Sequence, residues 1–231
     1  MKKLFAILVA LVVGHAKAED TGKLGSDSDP IRQLLFASQS LKEQVSRSHL
    51  DGSPSPFQTI ADASKLLDEG KKSEAISILH KVLDTPDLES RLTLWVWSAL
   101  RELGEKPDPK MAFQVIGVVV EVPSSGAYDT LAAYMDGSAR YLNFSGKGIF
   151  WDQKGKDIRV LCQNFIDSTI LVSSRAKPRV SLALPKSGGQ VTLLTRSGNF
   201  VVTNPPDSVI MPAAALMTEL IKRSNEKQNG G

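Results

Sequence analysis

The 231-residue chain is 42% hydrophobic and carries 28 basic and 25 acidic residues. These values are typical of an ordinary globular protein with one large domain or two small ones. The single cysteine excludes an internal disulfide, so packing alone must hold the fold together.

The amino terminus has the three-part layout of a secretory signal. Lys2 and Lys3 precede an unbroken apolar stretch over residues 4–13, and the small-residue pattern Ala16-Lys17-Ala18 follows. This stretch is far shorter than the roughly 20 residues that cross a bilayer. We therefore expect cleavage after Ala18 and export to a periplasm or the cell exterior, with no stable membrane anchor afterwards.

Cleavage also changes the charge balance. It removes Lys2, Lys3 and Lys17 but no acidic residue, which makes the basic residues equal in number to the 25 acidic ones. The remaining chain has no basic excess of the kind that indicates nucleic-acid binding. Residues 19–28 are rich in Gly, Ser and Asp, a composition typical of a flexible leader.

Helical periodicity dominates residues 29–108. Asp29-Pro30 is a start signal for a first helix, in which apolar residues share one face from Ile31 to Val45. The prolines before Phe57 end it. Three more helices are predicted, over residues 57–69, 73–83 and 87–103.

Part of this helical segment resembles a tetratricopeptide repeat. The run over residues 63–76 (ASKLLDEGKKSEAI) has small and large apolar residues in its first helix, a turn glycine at Gly70 and Glu-Ala-Ile at the start of its second. The helix that ends at Gly104 is similar to the first helix of a following repeat, so the resemblance covers residues 57–108. Since about three repeats are needed to bury a solenoid core, it implies that these helices pack on the rest of the protein.

After Pro109 the pattern changes to that of strands. Four strands are predicted over residues 114–122, 130–135, 138–143 and 149–152, with a two-residue turn at Asp136-Gly137. A helix over 157–173, strands over 179–184, 190–195 and 199–203, and a helix over 212–223 follow, and a disordered tail covers 224–231. The sequence thus predicts an α+β fold, with the helical segment followed by an antiparallel ββββ-α-βββ-α domain over residues 111–223.

Two apolar features suggest an interaction surface. In the predicted hairpin, Tyr134 pairs with Ala139 and Ala132 with Tyr141, which sets both tyrosines on one face and Arg140 on the other. This face is either the core side of the sheet or a binding surface. In the last predicted helix of the N-terminal segment, some apolar residues also lie outside the main stripe. The candidate interaction surface comprises Leu94, Trp97, Tyr134, Tyr141 and Trp151.

No catalytic or metal site is predicted. Cleavage leaves His49, His80 and Cys162, which are too few for a zinc site or a recognisable nucleophile–base arrangement. His49 and His80 fit surface positions, and Cys162 falls in an apolar helical stripe, as expected for a buried thiol. Glycine-rich nucleotide loops are also missing from the sequence, so it predicts no cofactor.

These observations favour an exported, non-enzymatic binding or scaffold protein that acts through contacts with another protein. The alternative is a small exported hydrolase with a carboxylate pair in a cleft between the two domains. Its candidate acids in the β half are Asp129, Asp136, Asp152 and Asp157.

Overall fold

The structure is a computed structural model that describes residues 30–48, 56–124, 127–152, 155–185 and 187–229. The chain divides into two compact units between Lys106 and Pro107. We call them the helical unit and the sheet unit. The predicted signal, its cleavage at Ala18, the leader over residues 19–28 and His49 all lie outside the described residues. Within the described ranges, no helix has the length and apolar character needed to cross a membrane.

In the residues that the structure describes, the helical unit contains five helices, and their apolar faces form its core. Gly70, with φ of +77°, makes the turn between the third and fourth helices at the predicted position. Assignment to the tetratricopeptide family stays a prediction. The helices are α1 (Pro30–Leu35), α2 (Leu41–Ser48), α3 (Phe57–Asp68), α4 (Lys72–Leu83) and α5 (Ser90–Glu102).

The first predicted helix is in fact two helices, and its prediction as a single helix is wrong. The chain leaves α1 through Ala37, which has a left-handed φ of +49°. A capping box then starts α2: the Ser40 backbone N–H donates to the Glu43 carboxylate, and the Glu43 N–H donates to Ser40 Oγ. This reciprocal pair satisfies two N–H groups that a new helix leaves without partners.

The sheet unit contains a seven-stranded antiparallel sheet, which confirms the α+β class. The strand order is β4-β3-β2-β1-β6-β7-β5, with β1 at the centre. The strands are β1 (Val115–Ser124), β2 (Ala127–Tyr134), β3 (Ala139–Leu142), β4 (Gly148–Trp151), β5 (Lys177–Pro178), β6 (Gln190–Thr195) and β7 (Gly198–Thr203).

Two helices, α6 (Lys156–Ser168) and α7 (Asp207–Asn229), cover one face of this sheet. A 3₁₀ segment, Thr169–Arg175, follows α6. Arg223 of α7 ties the layers together: its guanidinium pairs with Asp157 of α6 at 2.9 Å and lies over the Trp151 ring. Because α7 continues to Asn229, the predicted disordered tail is helical over residues 224–229.

The predicted strand over residues 179–184 is not formed. The observed strand β5 is the two-residue segment Lys177–Pro178, and residues 179–185 are irregular. Arg179 explains the difference, because its guanidinium donates to the carbonyl oxygens of Ser181 (2.8 Å) and Ala183 (3.2 Å). These carbonyls therefore have partners without joining a strand ladder.

The β2–β3 hairpin has a register one residue away from the predicted one. Ala133, rather than Tyr134, lies opposite Ala139, and Leu131 lies opposite Tyr141. Side chains alternate between the two faces of a sheet, so this shift separates the tyrosines. Tyr141 belongs to the core under the helices, and Tyr134 lies on the opposite face.

The turn chemistry sets this register. The Tyr134 N–H donates to the Ser138 carbonyl at 3.0 Å, which leaves a three-residue loop instead of the predicted two-residue turn. Gly137 has φ of +83°, the left-handed conformation that such a loop requires at its last position. Asp136 Oδ1 accepts hydrogen bonds from the Ser138 N–H at 2.9 Å and its hydroxyl at 2.7 Å.

On the face away from the helices, Tyr134 packs directly over Gly117 of β1. The two residues lie opposite each other in the sheet, and a Cβ at Gly117 would be 2.7 Å from Tyr134 Cδ1. Cβ atoms essentially never have contacts this short, so the absence of a side chain at Gly117 makes room for the ring.

We therefore expect Gly117→Ala to destabilise the protein by about 1–3 kcal/mol, the usual cost of overpacking a core. The free energy of unfolding in urea measures the change. Gly155→Ala is the control: its Cβ would meet Trp151 at an ordinary 3.7 Å and its φ is −88°, so we expect a change within about 0.5 kcal/mol. Equal losses in the two variants would contradict the assigned role of Gly117.

Candidate functional site

The helical unit has an apolar groove between its first helix and α5. We call it the α1–α5 groove. It encloses ≈ 40 Å³, room for about three water molecules or the end of one aliphatic side chain. Its lining residues are Leu34, Ala37, Gln39, Phe57, Glu89, Arg91, Leu92 and Trp95.

Trp95 of α5 holds the groove together. Its indole Nε1 donates to the Gln39 carbonyl at 3.1 Å, and Gln39 lies in the link between α1 and α2. A buried indole N–H needs such an acceptor. This hydrogen bond therefore joins the two walls of the groove and holds Leu34 and Ala37 opposite α5.

The polar groups of the groove neutralise each other. Arg91 and Glu89 form an ion pair with an N–O distance of 3.3 Å. The α1–α5 groove thus offers an apolar floor and a neutral edge, an arrangement that accepts an apolar side chain and carries no group for bond-making chemistry.

A second cavity, of ≈ 60 Å³, lies between the sheet and α7. Small side chains of α7, Ala213 and Ala214, leave this space against apolar residues of β1 and β2. Its polar groups are Tyr141 and Asp129. Burial raises the pKa of the Tyr141 hydroxyl, and the charge and hydrogen bond of Asp129 raise it further. Val120, Leu131 and Ala213 in its lining belong to the buried core, so we interpret the cavity as a packing gap.

A buried polar cluster lies on β1 and β6, on the face away from the helices. The Glu121 carboxylate is fully buried and accepts hydrogen bonds from Arg179 Nη1 at 3.0 Å and Gln190 Nε2 at 2.7 Å. Arg179 also donates to the Thr192 hydroxyl. Arg179 thus attaches the irregular segment 179–185 to the sheet through Glu121 and Thr192, and the Glu121 carboxylate is not exposed to solvent.

The predicted interaction surface is wrong. All five of its side chains are buried, and the most exposed of them has a relative exposure of only 9%. Leu94 and Trp97 belong to the buried side of α5, and Tyr141 and Trp151 belong to the core beneath α6 and α7. Tyr134 is covered on the opposite face. Their apolar area stabilises the fold and is not available to a partner.

The four candidate aspartates do not converge on one site. Asp136 accepts the turn hydrogen bonds, Asp129 accepts from the Phe144 N–H at 2.8 Å, Asp152 pairs with Arg140, and Asp157 pairs with Arg223. The cavity beside Asp129 is lined by none of the other three. Each carboxylate has a structural partner, so this set gives no support to an acid–base pair.

His80 and Cys162 also have structural surroundings. His80 is half-exposed, lies 3.5 Å from a Glu105 oxygen and meets the Trp97 ring edge-on. Cys162 is buried, as predicted, and burial raises its thiol pKa to about 12. A thiol with this pKa is neutral at ordinary pH and is a poor nucleophile.

Sequence reasoning missed the α1–α5 groove, although one signal for it was readable. The pattern Ser40-Leu41-Lys42-Glu43 is a capping box and marks the start of a separate helix. A break at that point would have separated Leu34 from the stripe of α2. The contact from Trp95 to Gln39 spans 56 residues, and no local pattern predicts it.

Among the described residues, no group of three or more His, Cys, Asp or Glu side chains could hold a metal ion. Comparisons with protein-family models, curated proteins and solved structures found no match. Any functional inference therefore depends on the geometry of the chain itself.

We expect Arg179→Met to destabilise the protein by about 3–5 kcal/mol, because it leaves the buried Glu121 carboxylate without its cation. Urea unfolding measures the loss. Arg175→Met, at an exposed position in the 3₁₀ segment, is the control, and we expect its free energy of unfolding to change by no more than about 0.5 kcal/mol. The double variant Glu121→Met with Arg179→Met should lose less stability than Arg179→Met alone, because it no longer buries an unpaired carboxylate. A larger loss in the double variant would rule out a charge-pairing role.

We expect native Cys162 to react with iodoacetamide at pH 8 at least about a hundredfold more slowly than the urea-unfolded chain, since the raised pKa suppresses the thiolate. The native rate should keep rising with pH above 9, because thiolate forms only near pH 12. Ser174→Cys, at an exposed position, provides a reactive internal control. Equal native labelling of both thiols would show that Cys162 is accessible.

Proposed function

We propose that the protein is an exported binding protein that acts through contacts with another protein, and that the α1–α5 groove is its docking site. The observation that carries the proposal is the groove itself, which exposes an apolar depression bounded by Leu34, Phe57 and Trp95. Export is supported by the layout of residues 1–18, in which two lysines, an apolar stretch and small residues precede the expected cleavage site.

The lining of the groove indicates the chemistry of the partner. An apolar floor with room for the end of one side chain favours a segment with a single aliphatic or aromatic anchor. The Glu89–Arg91 pair leaves the edge without net charge, so the contact has no strong electrostatic component. Affinity should therefore change little with salt concentration, unlike that of a contact between charged surfaces.

The resemblance of residues 57–108 to a tetratricopeptide repeat is compatible with this function. Phe57 begins α3, the first helix of the resembling region, and also lines the groove. The rival hydrolase has weaker support, because its candidate carboxylates are engaged separately, as described above, in turns and ion pairs.

The test is capture of a partner from the exported fraction with the exported form of the protein as bait. Leu34→Lys and Phe57→Lys each place a charge in the groove, and the long lysine stem lets the fold persist. Losing the burial of one large apolar side chain corresponds to roughly 1.5–3 kcal/mol, or about ten- to a hundredfold in affinity. Isothermal titration of the captured protein measures this change.

Val180→Lys is the matched control, because Val180 is 97% exposed and lies in the sheet unit, outside the groove. A partner retained by the parent protein and this control, but lost by both groove variants, supports the proposal. If captured proteins bind all four forms equally, or if none is captured, the groove is not a docking site.

A further inference from the structure

The two edges of the sheet differ in how they are protected. The edge strand β5 has only two residues, Lys177 and Pro178. Short length, lysine and proline are the features by which natural proteins prevent an edge from pairing with another chain. The other edge strand, β4, is also short, with the sequence Gly-Ile-Phe-Trp, but it contains neither lysine nor proline. We call its outer side the β4 edge.

Hydrogen bonding shows which groups of β4 point outward. In the turn before β4, the Asn143 N–H donates to the Lys147 carbonyl at 2.9 Å, so the backbone groups of Lys147 point toward β3. The direction of the backbone N–H and C=O groups alternates from residue to residue along a strand. The groups of Ile149 therefore also point toward β3, whereas those of Gly148 and Phe150 point away from it. In the part of the chain that the structure describes, β4 pairs only with β3.

The exposure of the side chains agrees with this asymmetry. Ile149 and Phe150 are only half-buried, although they lie in the middle of their strand. The Phe150 ring lies 5.6 Å from the Arg140 guanidinium and folds back over Gly148. This strand therefore offers both backbone groups and apolar area along one line.

We propose that the β4 edge joins two copies of this chain, with the β4 strands antiparallel about a two-fold axis at Phe150. Only residues whose backbone groups point outward can pair across this edge. Gly148 and Phe150 must therefore each lie opposite an outward residue of the other copy, which is the partner subunit's Gly148, Phe150 or Asp152. With Phe150 opposite its counterpart, Ile149 lies opposite the partner subunit's Trp151. On the face away from the helices, Phe150 then meets its apolar counterpart, and Gly148 lies opposite the partner subunit's Asp152 beside it.

The neighbouring register, with the axis at Ile149, is less favourable. It would set Lys147 opposite the Trp151 side chain, which is buried in the core under α7. A two-fold contact is self-complementary, so one strand supplies both halves of the interface. Because a four-residue strand is short, the interface is smaller than the roughly 1,200 Å² of stable complexes, and we expect a reversible, concentration-dependent dimer.

Sedimentation velocity of the exported protein over a hundredfold concentration range tests the proposal. We expect a monomer–dimer equilibrium that Phe150→Lys abolishes, because an edge lysine opposes strand addition. Phe144→Lys is the matched control, since Phe144 is 44% exposed in the adjoining turn but outside the edge. Circular dichroism verifies that both variants remain folded.

Cross-linking tests the register independently of any effect of a charge on folding. In the proposed pairing, the two Phe150 Cα atoms lie about 5.5 Å apart, which is within disulfide range. Mild oxidation should therefore convert Phe150→Cys into a covalent dimer and leave Phe144→Cys monomeric, while the buried Cys162 does not react. A monomeric parent protein at the highest concentration, or a dimer in which Phe150→Cys fails to cross-link, would overturn the proposal.

Discussion

The register of the β2–β3 hairpin decides which side chains line each face of the sheet. Because side chains alternate along a strand, a shift of one residue exchanges the two faces. Gly137, in its left-handed conformation, sets this register. Tyr141 consequently enters the core under α6 and α7, and Tyr134 is placed over Gly117 on the other face. The same register brings Arg140 to the face away from the helices, where Phe150 covers it.

A buried carboxylate imposes the second constraint. Glu121 lies in the central strand and is fully buried, so the surrounding structure must supply a cation and hydrogen-bond donors. Arg179 provides the cation from an irregular segment rather than from a strand. The composition of residues 179–184 (RVSLAL) is that of a strand, but the guanidinium takes up the carbonyls that a ladder would use. Hydrogen bonds from one guanidinium to backbone carbonyls thus override the local preference for strand.

Much of this fold could be predicted because its signals are local. An apolar period of 3.6 correctly placed α3 and α4, and a nearly continuous run of apolar, β-branched residues correctly placed the central strand β1. The errors arose where one residue or one distant contact decides the outcome. Asp136-Gly137 suits both two- and three-residue loops, so composition alone does not choose the register. The groove around Trp95 depends on its hydrogen bond to Gln39, 56 residues away, and such a distant contact cannot be predicted from periodicity.

The burial of all five predicted surface residues changes where function can reside. These aromatic and aliphatic side chains stabilise the core, and the two features that carry the proposals are a depression in the helical unit and a strand edge in the sheet unit. These features recognise different things, since a depression selects an apolar side chain and an edge selects extended backbone. The two proposed contacts thus draw on different chemistry, apolar burial in one and backbone hydrogen bonding in the other.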